Sequence, residues 1–237
     1  MNRDAVRSIN RDVYLADEGI NLMRPDYFTD DIVAFNSHEK IFCRRLTDDY
    51  DHRLVIEAGC GNFRLIDSKP DQCCYLGIDI NPRHGTRAPD KKGVIIRCDA
   101  RRFFTNYRIE NKIMDMFENR VACILPFNFL GTMDEPIRFL HNVCRWNKDI
   151  MLSLFNTTDQ ATEARIRYYK KCRIVVEQVT KTEEFVRLNC SNGFEAFAFS
   201  QTYIEGILAN YGYSVACKEE HGVFAFMFFR RTPDSFA

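Results

Sequence analysis

Val55-Ile56-Glu57-Ala58-Gly59-Cys60-Gly61-Asn62 is the stretch of sequence that decides the fold. In it, an apolar strand runs into an acidic residue and then into two glycines that are one residue apart. Glycine has no Cβ, so it adopts positive φ readily and lets a ligand approach the backbone closely. A strand that ends in such a turn and leads into a helix is typical of nucleotide sites at the carboxyl end of a parallel sheet. The stretch therefore predicts a nucleotide-binding α/β domain.

The size and charge of the chain limit its function. Its 237 residues suffice for one large α/β domain with a substantial core. Lys and Arg together number 33, as do Asp and Glu, so the net charge is zero. Nucleic-acid binding usually requires a basic surface, so we expect no nucleic-acid partner, although the composition says nothing about a local basic patch. The 20 phenylalanines either fill the core or line an apolar pocket.

The cysteines and the amino terminus indicate a cellular compartment. The ten cysteines show no CxxC or Cys/His spacing, so we interpret them as reduced thiols of a cytosolic protein without a metal site. No apolar run typical of a signal peptide follows Met1, and no stretch reaches the ~18 apolar residues of a membrane span. These patterns predict a cytoplasmic protein with no membrane segment.

Strand and helix patterns alternate from Arg53 onward. Candidate strands lie at 54–57, 74–79, 93–97, 121–125 and 149–154, and helical patterns lie at 106–117 and 134–146. This alternation predicts a doubly wound, mostly parallel α/β sheet, with a nucleotide-binding core over residues 51–156. Residues 1–50 are predicted to form an N-terminal helical cap. The cap either packs against the sheet or covers the ligand, with Tyr14, Tyr27 and Phe28 facing that ligand.

The pattern changes after Asn156. A helix is predicted to about Cys172, followed by an antiparallel hairpin of strands 173–179 and 185–189. The Asn192-Gly193 pair then signals a turn into a further strand at 194–199. We therefore expect a helix and hairpin insert over 157–199. Residues 200–237 would return to the core as a helix and two edge strands.

Acidic residues end the next two predicted strands. Asp79 lies 18 residues after Gly61, and Asp99 ends the third strand. The first spacing agrees with the ~20 residues expected between a glycine turn and a ribose-binding carboxylate. Asp79 could accept both ribose hydroxyls, and Asp99 could accept the exocyclic amine of an adenine. Each could instead cap the following helix, but Glu57, Asp79 and Asp99 at consecutive strand ends favour one shared site.

Taken in order, these residues resemble the class I S-adenosylmethionine-dependent methyltransferases. Glu57-Ala58-Gly59-Cys60-Gly61 is similar to the first motif of that family, and Cys123-Ile124-Leu125-Pro126-Phe127-Asn128 stands at its fourth-strand motif. A dinucleotide fingerprint would instead have glycine at Arg64. The resemblance covers about residues 50–155 and implies a seven-stranded, Rossmann-like methyltransferase fold with an antiparallel edge. It also implies S-adenosylmethionine as cofactor, bound by Glu57, Gly59, Cys60, Gly61, Asp79, Ile80, Asp99, Ala100 and Leu125.

The resemblance further implies transfer of a methyl group from a sulfonium to O, N or C, with S-adenosylhomocysteine as product. The chain would align donor and acceptor and exclude water. A general base helps only where the acceptor keeps its proton, and the candidates are Tyr14, Asp134, His141 and His221. Family members that methylate planar amino groups often carry Asn or Asp where this chain has Leu125, which disfavours such acceptors.

The acceptor site is predicted from the segments that commonly form a lid in this family. The N-terminal helices, the fourth-strand motif and the insert would supply substrate contacts from Tyr14, Phe127, Asn128 and Tyr168. Asn128 could instead cap its turn. The insert also carries several basic residues, which form either a solvated face or a wall for an anionic acceptor. They are Arg165, Arg167, Lys170, Lys171 and Arg173.

Three functions stay open at this point. We expect a methyltransferase that acts on a small metabolite or a short peptide, as in natural-product biosynthesis, and that is a monomer or a homodimer. The second is a methyltransferase that acts on RNA or protein, against which the neutral charge argues. The third is a methyltransferase-like binding subunit without turnover, for which Phe63 argues because the family often has a third glycine there.

Overall fold

The structure of the chain, a computed structural model, describes residues 9–15, 21–22, 24–61, 65–69, 71–81, 93–118 and 120–232. The predictions that concern Asn62, Phe63 and Arg64 lie outside these residues. The described strands are β1 Leu54–Ala58, β2 Cys74–Asp79, β3 Gly93–Arg97, β4 Val121–Leu125, β5 Asp149–Phe155, β6 Val176–Lys181, β7 Phe185–Cys190, β8 Glu195–Phe199, β9 Tyr213–His221 and β10 Phe224–Arg231.

A seven-stranded sheet organises the described residues, in the order β3-β2-β1-β4-β5-β10-β9. The five strands from β3 to β5 in that order are parallel to one another. Strand β10 is antiparallel to both of its neighbours, β5 and β9. This topology confirms the prediction of a doubly wound, mostly parallel sheet with an antiparallel edge.

Both faces of this sheet are covered. Val55 of β1 joins a core with Phe226 of β10, whereas its neighbour Ile56 joins a second core with Phe139. Successive side chains of a strand point to opposite faces, so the two cores lie on opposite sides of the sheet. Burial on both faces explains why the parallel strands have nearly continuous apolar sequences.

The helices that cover the sheet are short, apart from one near the amino terminus. The described helices are α1 Ile9–Leu15, α2 Asp30–Asp49, α3 Ala100–Phe103, α4 Tyr107–Phe117, α5 Pro136–Cys144, α6 Asp159–Lys171 and α7 Gln201–Ala209, with 3-10 turns at Pro25–Tyr27, Ile66–Ser68 and Leu130–Thr132. Among them, none is both long enough and apolar enough to cross a membrane.

Helix α2 packs on one face of the sheet. Its apolar stripe includes Ile32, Phe35 and Phe42, none of which is exposed to solvent. The ring of Phe35 lies 5.2 Å from that of Phe155 and 5.5 Å from that of Phe226, centroid to centroid. For α2, the packing alternative is therefore the one that the structure favours.

The insert contains the predicted hairpin and the further strand predicted after Asn192-Gly193. Strands β6, β7 and β8 form a separate antiparallel sheet in that order. Arg173, predicted to begin a strand, instead follows α6 with φ of +67°, and β6 begins at Val176. Buried residues of this sheet, Leu188 and Ala198 among them, join the same core as Phe35. The positions of the domain boundaries stay predictions.

Candidate functional site

A cavity lies at the carboxyl ends of the parallel strands. Neighbouring strands are ~4.8 Å apart, so the ends of the five parallel strands from β3 to β5 span about 19 Å. The cavity runs along this edge of the sheet. Its walls are Asn10, Arg11, Tyr14, Leu22, Gly59, Gly61, Ile78, Asp79, Ile80, Asn81, Cys98, Asp99, Ala100, Arg101, Pro126, Phe127, Asn128, Phe129, Thr132, Met133, Asp134, Phe155, Tyr168 and Tyr169. We call the part around Gly61, Asp79 and Asp99 the acidic end. The part around Phe127, Phe155, Tyr168 and Tyr169 is the aromatic end.

Asp79 holds the backbone of the acidic end in place. Its Oδ2 accepts a hydrogen bond from the Gly61 N–H at 2.9 Å, and its Oδ1 accepts one from the Asn81 N–H at 2.7 Å. The glycine turn after β1 is therefore tied to the end of β2. A carboxylate oxygen has about two acceptor positions, so these two bonds leave each Asp79 oxygen one position for a ligand hydroxyl.

Asp99 pairs with a residue that the sequence reasoning missed. Its Oδ1 accepts the Arg101 backbone N–H at 2.9 Å, which caps α3, and its Oδ2 accepts Nη2 of the same arginine at 2.7 Å. Arg101 Nη1 also donates to Asp134 Oδ2 at 3.2 Å. Burial by itself would raise the pKa of Asp99, but the bonds from Arg101 outweigh it and lower that pKa. The arginine thus neutralises much of the negative charge on this wall.

Glu57 does not join the other two carboxylates at the cavity, which corrects the expectation of three acidic groups around one ligand. It is only 1% exposed and accepts a hydrogen bond from the hydroxyl of Tyr75. Side chains of β1 alternate between the faces of the sheet, and the register places Val55 opposite Tyr75. Glu57 lies on the same face as Val55 and therefore meets the Tyr75 side chain inside the core.

Two further predicted cofactor contacts are also buried away from the cavity. Cys60 is 1% exposed, and its sulfur lies where a Cβ on Gly77 would come within 2.8 Å. Leu125 is fully buried at the end of β4, in the core with Phe139. By contrast, the predicted contacts Gly59, Gly61, Asp79, Ile80, Asp99 and Ala100 all line the cavity.

The two glycines of the turn have different local roles. Both adopt positive φ, +70° at Gly59 and +50° at Gly61, as the sequence predicted. A Cβ on Gly59 would lie 2.1 Å from Cδ2 of Phe129, so its missing side chain makes room for that ring. Gly61 instead presents its N–H to Asp79. The close approach at Gly59 is thus made by Phe129 of the same chain, within the cavity wall, and not by a ligand.

The loop after β4 is held in an unusual conformation. Phe127 and Asn128 have φ of +42° and +56°, a left-handed conformation that is costly for residues other than glycine. The Phe127 N–H donates to Oε1 of the buried Glu39 at 2.7 Å, and the Asn128 N–H donates to the Ser153 carbonyl at 2.8 Å. Asn128 Nδ2 donates to the Phe197 carbonyl at 2.9 Å. These bonds support a structural role for Asn128, and its contact with a substrate stays a prediction.

At the aromatic end, Phe127 meets two other rings edge to face, and the rings of Tyr168 and Tyr169 are tilted against each other. The Phe127 ring lies 5.9 Å from that of Tyr168 and 6.2 Å from that of Phe155, while Tyr168 and Tyr169 are 5.5 Å apart. The Tyr168 hydroxyl donates to the Leu22 carbonyl. Burial raises the pKa of Tyr168 well above its ordinary value, and it raises the pKa of Tyr169 to about 12. Both phenols therefore stay protonated at neutral pH.

Helix α1 forms a wall of the cavity through Asn10 and Tyr14. Asn10 Nδ2 donates to the carbonyls of Thr132 and Glu195 at 2.9 and 2.8 Å, and its Oδ1 accepts the Glu195 N–H at 2.8 Å. Burial raises the pKa of Tyr14, partly offset by a hydrogen bond with Thr132. A tyrosine with a raised pKa stays protonated at neutral pH, so its basic form, the phenolate, is not populated, which argues against Tyr14 as a general base.

The other predicted bases are divided between the cavity wall and distant positions. The ring of His141 lies tilted against that of Tyr211 with centroids 5.4 Å apart, and His221 pairs with Glu219 at 3.3 Å. Neither histidine lines the cavity. Asp134 does, but it is bonded to Arg101 and to the Asn10 N–H.

Sequence reasoning missed Asn10, Asn81 and Arg101 as parts of this cavity. Arg101 has a local signal, since a basic residue two positions after a strand-end Asp can reach back to its carboxylate. Asn10 has none, because its partner Glu195 is 185 residues away. In the described part of the chain, no group of three or more His, Cys, Asp or Glu side chains could hold a metal ion. None of the ten cysteines forms a disulfide bond.

Comparison with known proteins adds information on the fold. No model of a protein family matches the chain, and no curated protein matches it in sequence. Among solved structures, magnesium protoporphyrin IX methyltransferase from Synechocystis PCC 6803, with bound S-adenosylhomocysteine, has a TM-score of 0.59 at 15% identity over 94% of this chain and 98% of that one.

Two other solved structures are similar at lower scores. The 1,6-didemethyltoxoflavin-N1-methyltransferase from Burkholderia thailandensis, also with S-adenosylhomocysteine, has a TM-score of 0.50 at 10% identity over 86% of each chain. The glycopeptide N-methyltransferase MtfA, complexed with sinefungin, has a TM-score of 0.51 at 11% identity over 82% of this chain and 94% of that one. At such identities the likeness concerns architecture alone. The chain therefore has the Rossmann-like fold of these methyltransferases.

Proposed function

We propose that this protein is an S-adenosylmethionine-dependent methyltransferase whose acceptor is a small molecule or a short peptide. The observation that carries the proposal is the acidic end of the cavity. There Asp79 and Asp99, at the ends of adjacent strands, face one hollow together with the turn at Gly61. The similar solved structures that contain S-adenosylhomocysteine support the choice of ligand.

The residues of the acidic end suit an adenosine. Asp79 keeps one acceptor position on each oxygen beyond its backbone bonds, which suits the two hydroxyls of a ribose. Ile80, Cys98 and Ala100 would pack against the adenine ring. All the acceptor positions of Asp99 meet donors of Arg101 in this structure, so a bond to the adenine amine requires Arg101 to release one.

The aromatic end would hold the acceptor. When bound, S-adenosylmethionine supplies an electrophilic methyl group on a sulfonium. The rings of Phe127, Tyr168 and Tyr169 would exclude water and orient a planar or apolar acceptor by contact. Helix α1 would close the cavity through the bonds of Asn10. Alignment within such an enclosed site is the main contribution that these side chains can make.

An enclosed acceptor compartment favours a small acceptor over a folded RNA or protein. Phe155, Tyr168 and Tyr169 are each no more than 3% exposed, so little of the aromatic end forms an open surface. The net charge of zero also supplies no long-range attraction for RNA. These two features support a small molecule or a short peptide as the acceptor.

Calorimetric titration of the full chain with S-adenosylhomocysteine tests the proposal. We expect saturable binding of one molecule per chain, and no binding of NAD⁺, because the fingerprint of dinucleotide sites is absent from the glycine turn. Absence of heat with S-adenosylhomocysteine, together with an unchanged melting temperature, would overturn it. Binding without methyl transfer to any member of an acceptor panel would instead favour the non-catalytic alternative.

A further inference from the structure

Arg165 is a charged side chain that is buried in the interior and forms no ion pair with any acidic residue that the structure describes. It lies in the middle of α6 and is 0% exposed. Its Nη1 donates to the Val186 carbonyl at 3.3 Å and its Nη2 to the Ala196 carbonyl at 2.7 Å. Its Nε has no hydrogen-bond partner among the described residues. Every contact that the structure gives this guanidinium is with a neutral group.

The positive charge of Arg165 acts on the aromatic end of the cavity. Its guanidinium carbon lies 5.8 Å from the centroid of the Phe155 ring, which lines that end. Its charge also acts on Tyr169, where it opposes the rise in the phenol pKa that burial causes. Both rings line the hollow, whereas Arg165 itself does not.

The other basic residues of α6 do not share this position. Arg167 is exposed and pairs with Asp31 at 2.9 Å, and Lys170 and Lys171 are exposed as well. They form the solvated face that the sequence left open as one alternative. Only Arg165, of the basic residues on this helix, is turned into the protein.

A buried cation among neutral groups is costly unless something compensates its charge. The acids that line the cavity belong to its other end, where Asp99 and Asp134 are bonded to Arg101. Asp79 is bonded there to backbone N–H groups. A ligand that brings a negative charge to the aromatic end would therefore compensate the positive charge of Arg165.

We propose that the aromatic end selects an acceptor with an oxyanion on a planar group. The oxyanion is a carboxylate or an ionised phenol or enol, and Arg165 is the residue that determines this specificity. The inference takes the methyl-transfer reaction from the proposed function. The charge preference of the cavity can be measured by binding alone, whether or not that function holds. Tyr169, which stays protonated, would donate its O–H to the anion.

An anionic acceptor also needs no general base, which agrees with the positions of the two predicted histidines among the described residues. A lone pair of the acceptor oxygen would form the bond to the methyl carbon, the bond from that carbon to sulfur would break, and the sulfur would keep the electron pair. The products are a neutral ester or ether and a thioether, and no proton has to be removed. His141 and His221, which lie away from the cavity, are then not needed.

Three isosteric probes test the charge preference: benzoate, benzamide and the benzamidinium cation. Each is titrated into the full chain by ligand-observed NMR, with and without saturating S-adenosylhomocysteine. We expect benzoate to bind about tenfold more tightly than benzamide, because charge-assisted hydrogen bonds are the stronger ones, and benzamidinium to bind least.

Variants identify the residue responsible. Arg165→Met removes the charge at similar volume, and Tyr169→Phe removes only the hydroxyl. The matched control is Arg167→Met, which removes an exposed charge from the same helix. We expect the preference for benzoate over benzamide to disappear in Arg165→Met, to weaken in Tyr169→Phe and to persist in Arg167→Met. A purely structural arginine would change the melting temperature without changing this preference.

Several outcomes would overturn the inference. They are binding of none of the probes, equal binding of all three by the unaltered chain, and a benzoate preference that persists in Arg165→Met. If Arg165→Met fails to fold, an unchanged preference for benzoate in Tyr169→Phe would also overturn the inference. If S-adenosylhomocysteine fails to bind while the benzoate preference follows Arg165, the proposed function fails and the anion site stands. If S-adenosylhomocysteine binds and the three probes do not differ, only the present inference fails.

Discussion

The ring of Phe129 lies directly against Gly59, so that a Cβ on this glycine would fall 2.1 Å from Cδ2 of the phenylalanine. The first glycine of the turn also has φ of +70°. Two separate physical reasons therefore require glycine at this position: the backbone conformation and the neighbouring ring. Both are properties of the protein without a ligand, so both can be measured as stability.

Replacing this glycine should destabilise the fold. For Gly59→Ala we expect a loss of about 2–4 kcal/mol in the free energy of unfolding, from left-handed strain and overpacking together. The double variant Gly59→Ala/Phe129→Ala should lose less than the sum of the two single variants, because removal of the ring relieves the clash. Urea unfolding measures the free energy of unfolding of the two single variants and the double variant.

Gly206 is the matched control for this experiment. It lies in α7 and nothing stands within 4 Å of an added Cβ, so Gly206→Ala should stabilise the protein by about 0.5–1 kcal/mol. Unfolding of Gly59→Ala at the same urea concentration as the unaltered chain would contradict the close packing against Phe129.

Asp79→Asn tests the ribose-binding role of the acidic end. The amide keeps one acceptor oxygen, so it can serve only one of the N–H groups of Gly61 and Asn81 and fewer ligand hydroxyls. We expect the affinity for S-adenosylhomocysteine to fall by about 2 kcal/mol, measured by calorimetry. Asp26→Asn, which alters an exposed carboxylate away from the cavity, should bind as the unaltered chain does. An unchanged affinity in Asp79→Asn would remove the ribose assignment.

The thiol of Cys98 should report ligand binding at the acidic end. Cys98 lines the cavity and is half-buried. Cys217 of β9 is also half-buried but lies outside the cavity, so it serves as the control. Burial and the charge of Asp99 raise the pKa of Cys98, so its alkylation should be slow from the start. At ten times the dissociation constant, S-adenosylhomocysteine should slow it about a further tenfold. Peptide mass spectrometry after iodoacetamide treatment measures both sites, and equal effects at Cys98 and Cys217 would contradict the placement of the ligand.

The pairing of Asp99 with Arg101 should make stability depend on pH in the acidic range. The pKa of Asp99 lies below its ordinary value of 3.8 in the folded state. The folded state therefore binds this proton less tightly than the unfolded state, and the contribution of Asp99 to stability is present above pH 3.8 and is lost as the pH falls through the lowered pKa.

The variant Asp99→Asn isolates this contribution. The difference in unfolding free energy between it and the unaltered chain should be largest near neutral pH and should shrink in the acidic range below the ordinary pKa of a carboxyl. Asp115→Asn, at an exposed position of α4, is the control for a general change in charge. A difference that stays constant from neutral pH down to the acid transition would contradict the lowered pKa.

The acidic end could be predicted largely because its parts are local in sequence. The glycine turn ends β1, and Asp79 ends β2, the next strand along the chain. Carboxyl ends of parallel strands meet at one edge of a sheet, so the spacing alone brings Gly61 to Asp79. Glu57 was misplaced because its side chain lies on the face of β1 that packs into the core, where the Tyr75 hydroxyl donates a hydrogen bond to it.

The aromatic end depends on contacts between distant segments. Arg165 could be identified as basic from the sequence, but its burial follows from the third strand of the insert, whose Ala196 carbonyl it reaches. The Asn10 contacts with Thr132 and Glu195 cross more than a hundred residues of sequence. No local pattern encodes such pairings, because they form only after the separate elements have packed.

By itself, then, the sequence determined the order of strands and helices, the parallel sheet, and the meeting of the glycine turn with Asp79. These features follow from hydrophobic periodicity and from backbone preferences that act over a few residues. The tertiary structure alone decided which acids face the cavity, that Arg101 neutralises two of them, and that Arg165 is buried beside Phe155. Those outcomes depend on strand register and on long-range packing, where each side chain's surroundings come from remote parts of the chain.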